Sequence, residues 1–449
     1  TAKTSTQLSA CEALDDMRDQ GLFIKSIRLT AKEKICLRKD IYCDMESCEY
    51  AVSYYNNNHK AMTELFGYNS IDSEVLQNTA RKHRVCPFEI GLDISMFCDV
   101  IICDYNYVFD PRIKLARFFL EDVYRYVFLV DEAHNLPSRC NEMFSASLSP
   151  KVFDGITDFL SFYSDELRHV ITSLLNYFDT SMQYLDSVNE DLVSFDSKIE
   201  RTYLVKVDDV CASRKAPQEL IELCSRFTAE ARPVLDSLNR YETKKPLLDV
   251  FFEIRFFEKA GNEFFNGDYI TLLSKEKNRP VISLRCLNAS DKLTSFHNGK
   301  NSTVYFSATM SPQEYYVPLF SGKPGSFDLK RKILPSPFPP ENLWVGVFSA
   351  VSTKYNNRPY SLEDISSAIF SAVTVKAGNY LVYCPSFEYQ RMIMGSFMSY
   401  LERQVKKPQL KVIGQSRGMS EKERNEFLDS FLVTRNEFLV GFAVLGGVF

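Results

Sequence analysis

Residues 127–134 read Val-Phe-Leu-Val-Asp-Glu-Ala-His, a short apolar run ending in two adjacent carboxylates and a histidine. One carboxylate can hold a hydrated Mg²⁺ ion, and its neighbour can take a proton from water. An apolar run this short suits a strand buried in a parallel sheet. Open α/β sheets bind ligands at the carboxyl ends of their strands. Asp131 and Glu132 are therefore expected where a metal-bound phosphate could be met. A plain polar turn is the alternative, and Ala133-His134 after four apolar residues favours the chemical reading.

A second set is Cys36, Cys43, Cys48 and Cys86, spaced C-x6-C-x4-C-x37-C. Zinc sites usually show two close pairs, and only one is present. Four thiolates also suit an iron–sulfur cluster, and unligated core thiols are the third possibility. Lys32, Lys34, Arg38, Lys39, Arg81, Lys82 and Arg84 flank these cysteines. Such a basic lobe suits contact with a nucleic-acid backbone or is a solvated face. Ser307 and Thr309 follow the apolar residues 304–306, so their hydroxyls sit at another strand end or cap a turn. Ser386 precedes a helix, where it can receive a phosphate or cap the helix. Tyr105 and Tyr107 are read as packing residues.

These residues need a scaffold. At 449 residues, with 45% hydrophobic content, the chain can build two to four domains. A net charge of −5 rules out a bulk polycation, so nucleic-acid binding must use local basic grooves. No apolar run is long enough for a membrane span, and no signal peptide is seen, which points to the cytoplasm. With no secretory signal, the 12 cysteines do not suggest a disulfide framework. Helical periodicity covers 5–20, with Gly21 as a stop. Strands are expected at 26–30, 100–103, 126–130, 269–273, 281–287 and 304–306. Long amphipathic stretches fill 145–265. Beyond 325, strands at 379–384, 411–414 and 438–449 alternate with helices, which argues for a parallel sheet. Ser420 and Glu423 match a capping box, and Ser361 with Asp364 is a weaker variant.

Several separated segments together resemble one family. They are Thr1-Ala2-Lys3-Thr4, Leu29-Thr30-Ala31-Lys32, Cys86-Pro87-Phe88-Glu89, Asp104-Tyr105-Asn106-Tyr107, Asp131-Glu132-Ala133-His134, Ser307-Ala308-Thr309 and Tyr383-Cys384-Pro385-Ser386. Their order resembles the XPD/DinG branch of superfamily-two DNA helicases, in particular its bacterial iron–sulfur members. Asp131-Glu132-Ala133-His134 is similar to the DEAH form of the Walker B motif.

The resemblance implies an α/β fold with two RecA-like P-loop NTPase lobes. Lobe 1 would comprise 1–30, 90–144 and 266–322, and lobe 2 residues 323–449. An iron–sulfur domain at 31–89 and a mostly helical arch-like domain at 145–265 would interrupt lobe 1. It implies ATP-driven 5′-to-3′ movement on single-stranded DNA and unwinding of forked or duplex DNA in repair, replication or recombination. Asp131 would hold Mg²⁺ of Mg-ATP, Glu132 would activate water, and His134, Ser307 and Thr309 would couple. The four cysteines would carry a 4Fe–4S cluster. Thr1, Lys3, Thr4, Lys32, Lys34, Arg84 and Ser386 would touch DNA. No G-x-x-x-x-G-K-[ST] loop occurs in the chain. That loop and the final arginine motif are expected beyond the two ends, and such a fragment is expected to be inactive alone. Two rivals remain: a non-enzymatic iron–sulfur protein binding single strands, and a nuclease or RNA-directed enzyme on the same core.

Overall fold

The computed structural model describes residues 4–38, 48–119, 126–187, 203–207, 210–238, 241–294, 301–321, 330–405, 409–432 and 438–446. The chain divides into two compact units, Thr1–Arg331 and Lys332–Phe449.

The first unit opens with the helix Thr4–Asp19. Gly21 adopts φ +94°, and Leu22 N–H reaches back to Met17 C=O at 3.0 Å while Gly21 N–H meets Arg18 C=O at 2.8 Å. This left-handed exit ends the helix where the glycine predicted. Ser26–Arg28 then lies between Ser70–Ile71 and Val100–Ile102, parallel to both. Between these strands run the helices Tyr54–Leu65, Ser73–His83 and Pro87–Ser95. Asp72 starts the second of them by accepting the N–H groups of Glu74 and Val75, both at 3.0 Å. Ile27, Ile35, Ala61, Leu65, Ile71, Leu76 and Ile90 close the core of this part.

Val127–Val130 pairs in parallel with Ser302–Tyr305, with Val130 opposite Tyr305. The strand is buried on one face only, whereas the sequence predicted burial on both. Phe128 and Val130 pack into the core, while Val127 and Leu129 are 68% and 66% exposed. Leu129 sits opposite Val304, also exposed, so one face of this two-stranded ribbon is bare among the described residues.

Between these two strands lies a five-stranded antiparallel sheet packed against helices. Its order is Ala146–Leu148, Arg279–Cys286, Tyr269–Glu276, Val210–Ser213, Tyr203–Val207. The sequence grouped 269–273 and 281–287 with the first lobe; here both strands hydrogen-bond within the inserted sheet. The cause is a two-residue hairpin in which Lys277 and Asn278 adopt φ +47° and +65°. Such a turn matches the twist of antiparallel strands and joins the two runs directly. Helices Asp165–Ser187 and Gln218–Ser237 bury regularly spaced apolar side chains, including Leu167, Val170, Ile171, Leu174 and Phe178 on the first.

In the second unit, Gly378–Cys384, Phe438–Val444 and Leu410–Gly414 form a parallel sheet in that order. The central strand is buried almost throughout, as an apolar run requires. Ser420 and Glu423 form the reciprocal capping box that the sequence predicted. Ser361 stands at the N-cap of the helix Leu362–Val373, but its hydroxyl donates to Arg358 C=O at 3.3 Å and makes no side-chain cap. Both units thus contain parallel strands connected through helices, the α/β class expected.

Candidate nucleotide-hydrolysis site

The Val127–Val130 strand delivers Asp131 and Glu132 to its carboxyl end. Phe306 N–H donates to Val130 C=O and Ala133 N–H donates to Phe306 C=O, each at 3.1 Å. These two bonds carry the pairing past the strand end and hold the turn beside Ser307.

Glu132 has φ +50° and ψ +40°, a left-handed conformation. For a side chain other than glycine this costs about 1–2 kcal/mol. Local bonds hold it there. Glu132 N–H donates to Asp131 Oδ1 at 2.8 Å. The Tyr105 hydroxyl donates to Asp131 C=O. Tyr105 is 3% exposed. Its burial, together with the charges of Asp131 and Glu132, holds its pKa above the ordinary tyrosine range, so it stays a donor.

Glu132, His134, Ser307 and Thr309 come together. Ser307 Oγ lies 2.8 Å from His134 Nδ1, 3.2 Å from Glu132 Oε2 and 3.1 Å from Thr309 N. Thr309 Oγ1 is 3.2 Å from the same His134 nitrogen. One proton assignment fits the three Ser307 contacts: the serine hydroxyl donates to Glu132 and accepts from His134 Nδ1–H and from Thr309 N–H. Ser307 thus touches both the Glu132 carboxylate and the imidazole, which also meet directly, with His134 Nδ1 3.3 Å from Glu132 Oε2. The set is part-exposed; the His134 and Glu132 side chains are 27% and 36% accessible. A carboxylate oriented by a serine and open to solvent can accept a proton from a bound water.

The other predicted residues are more dispersed. Cys36 follows the helix Lys32–Ile35, Cys48 precedes Glu49–Val52, and Cys86 precedes Pro87–Ser95. Cys43 lies outside the described residues. Burial pushes the Cys86 thiol up, against the N–H groups of Glu89 and Phe88, which favour its thiolate. Four thiols are a suitable donor set for an iron–sulfur cluster. Among the described residues, however, no group of three or more His, Cys, Asp or Glu side chains is gathered to hold a metal ion.

Thr1 and Lys3 lie outside the described residues, and Thr4 opens the first helix. Lys32 stacks its ammonium 5.7 Å from the Phe88 ring centre. Lys34 and Arg84 are exposed, and Arg84 ends its helix at φ +54°. Ser386 caps the helix Phe387–Glu402 by accepting Tyr389 N–H at 3.2 Å. No helix among the described residues is long and apolar enough to cross a membrane.

Residues 7–153 match the DEAD_2 family model. Regulator of telomere elongation helicase 1 from Homo sapiens is 26% identical over 161 residues, covering 33% of this chain and 13% of that protein. A homolog of that regulator from Anopheles gambiae is 28% identical over 161 residues, covering 33% of this chain and 16% of its own. The chain therefore spans only 13% and 16% of these relatives' lengths. Among solved structures, one named XPD_Helicase aligns with a TM-score of 0.44 at 20% identity, covering 95% of this chain and 68% of its own. The Xpd4 structure from S. tokodaii aligns at 0.43 and 14% identity, covering 79% and 68%. Over residues 7–153 the chain is thus similar to the DEAD_2 family, and over a third of its length it resembles helicase relatives, in keeping with an XPD/DinG-like chain of helicase superfamily two.

Proposed function

We propose that this chain supplies part of an ATP-driven motor that moves along single-stranded DNA in the 5′-to-3′ direction and separates forked or duplex DNA. The observation that supports it most is the hydrogen-bonded set Glu132, Ser307, His134 and Thr309, which joins the Asp-Glu-Ala-His turn to the adjacent strand end. Asp131 would hold the Mg²⁺ of bound Mg-ATP, which would neutralise phosphate charge. Glu132 orients the attacking water and takes its proton. Ser307 fixes the carboxylate, and His134 and Thr309 pass the state of this turn to the neighbouring strand end.

Contact with DNA is assigned to Thr1, Lys3, Thr4, Lys32, Lys34, Arg84 and Ser386, as backbone contacts without base readout. Cys36, Cys43, Cys48 and Cys86 are assigned to a 4Fe–4S cluster. This assignment is supported by the four thiols within residues 36–86. When bound, the cluster staples its lobe; the hydrolytic chemistry belongs to Asp131 and Glu132.

A tailed duplex tests the motor reading in the intact protein. ATP-dependent strand displacement is expected with a 5′ single-stranded tail and not with a 3′ tail. No displacement on either substrate would overturn it. Ser307→Ala is expected to lower ATP turnover about tenfold, because the carboxylate loses the bond that aims it. Steady-state kinetics read this directly, and an unchanged kcat would remove Ser307 from the site.

A further inference from the structure

We propose that Tyr105 is a positioning residue for Glu132, acting through the peptide that joins Asp131 to Glu132. The proposal rests on the reading of Glu132 as the general base. That peptide is held at both of its polar ends. Its carbonyl accepts the Tyr105 hydroxyl, and its N–H donates to Asp131 Oδ1 at 2.8 Å. The orientation of this peptide sets the left-handed φ of Glu132. The left-handed φ in turn directs the Glu132 carboxylate to Ser307, 3.2 Å away. Without the tyrosine, the Asp131 carbonyl loses its protein donor and the peptide can rotate toward an unstrained conformation.

The tyrosine is itself fixed. It is 3% exposed and belongs to the core that contains Val130, Ala133 and Leu136. Asp104 Oδ1 accepts Asn106 N–H at 2.9 Å, which shapes the turn that presents Tyr105. A few residues on, Asp110, 3% exposed, accepts Arg112 Nε at 3.0 Å and Nη2 at 2.9 Å. The Arg112 guanidinium then lies 4.7 Å from the ring centre of Phe256, on the inserted helix Tyr241–Lys259. The hydroxyl is thus presented by a segment anchored at each end, as a preorganising group must be.

The test is steady-state ATP hydrolysis by the intact protein with saturating single-stranded DNA, comparing wild type, Tyr105→Phe, Glu132→Gln, the double variant and Tyr107→Phe. Tyr105→Phe is expected to lower kcat about tenfold with KM for ATP and the thermal unfolding midpoint unchanged. In the Glu132→Gln background it is expected to have no further effect, because it acts through that carboxylate. Tyr107→Phe is expected to match wild type. Four results would overturn the proposal: a wild-type kcat for Tyr105→Phe, an equal loss in the Glu132→Gln background, an equal loss in Tyr107→Phe, or a loss of kcat matched by a fall in the unfolding midpoint. Full turnover in Glu132→Gln alone would instead overturn the general-base reading beneath it.

Discussion

Glu132→Gln in the intact protein is expected to lower ATP turnover by about 10²- to 10⁴-fold, the range a general base contributes, with single-stranded DNA binding unchanged. The substitution is close to isosteric. The glutamine carbonyl can still accept the Ser307 hydroxyl, so the bond now measured at 3.2 Å survives. What is lost is a carboxylate able to take a proton from water. The turn's other supports also survive, because Ala133 N–H to Phe306 C=O and Tyr105 to Asp131 C=O use main-chain acceptors. A large fall in kcat without a fall in stability would therefore report chemistry rather than folding. Turnover at the wild-type rate would remove Glu132 from the reaction.

The second large effect concerns the cysteines. The intact protein, purified without oxygen, is expected to carry about four irons per chain with a reducible visible absorbance band. Cys86→Ser is expected to lose most of that iron. The segment that bears the ligands should also become more open to proteolysis, because metal binding and folding are coupled. Cys86 is the thiol of choice because it stands directly before the helix Pro87–Ser95, where the Glu89 and Phe88 N–H groups partly offset the burial that pushes its thiol up. Cys224→Ser serves as control, since that thiol is buried in the helical core and burial pushes it far up. Wild-type protein free of iron, or iron retained in Cys86→Ser, would contradict the cluster.

How much of this was legible beforehand depended on distance along the chain. The strand 127–130 was readable because an apolar run ended at two carboxylates. Its bare face, with Val127 and Leu129 exposed, was not readable, because burial depends on which elements cover a strand. The capping box at Ser420 was local and therefore visible. The hairpin at Lys277-Asn278 was missed: asparagine suits a left-handed turn position, but lysine before it gives little signal. Ser307 and Thr309 could be placed at a strand end, yet their shared contact with His134 spans more than 170 residues and needs the parallel pairing with Val127–Val130 to exist. Tyr105 was read as a packing residue. It does pack, but its hydroxyl also meets a main-chain carbonyl 26 residues away, and no sequence pattern marks that bond.

In the proposed function, the turn at Asp131 and Glu132 hydrolyses ATP in a motor that works on single-stranded DNA. The most direct measurement is ATP turnover by the intact protein in the presence of Mg²⁺, with and without a single-stranded DNA oligonucleotide. Hydrolysis that the oligonucleotide stimulates several-fold is expected, and Glu132→Gln is expected to lower it by about 10²- to 10⁴-fold in both conditions. Hydrolysis absent from the wild type, or present and indifferent both to DNA and to Glu132→Gln, would contradict the proposed function.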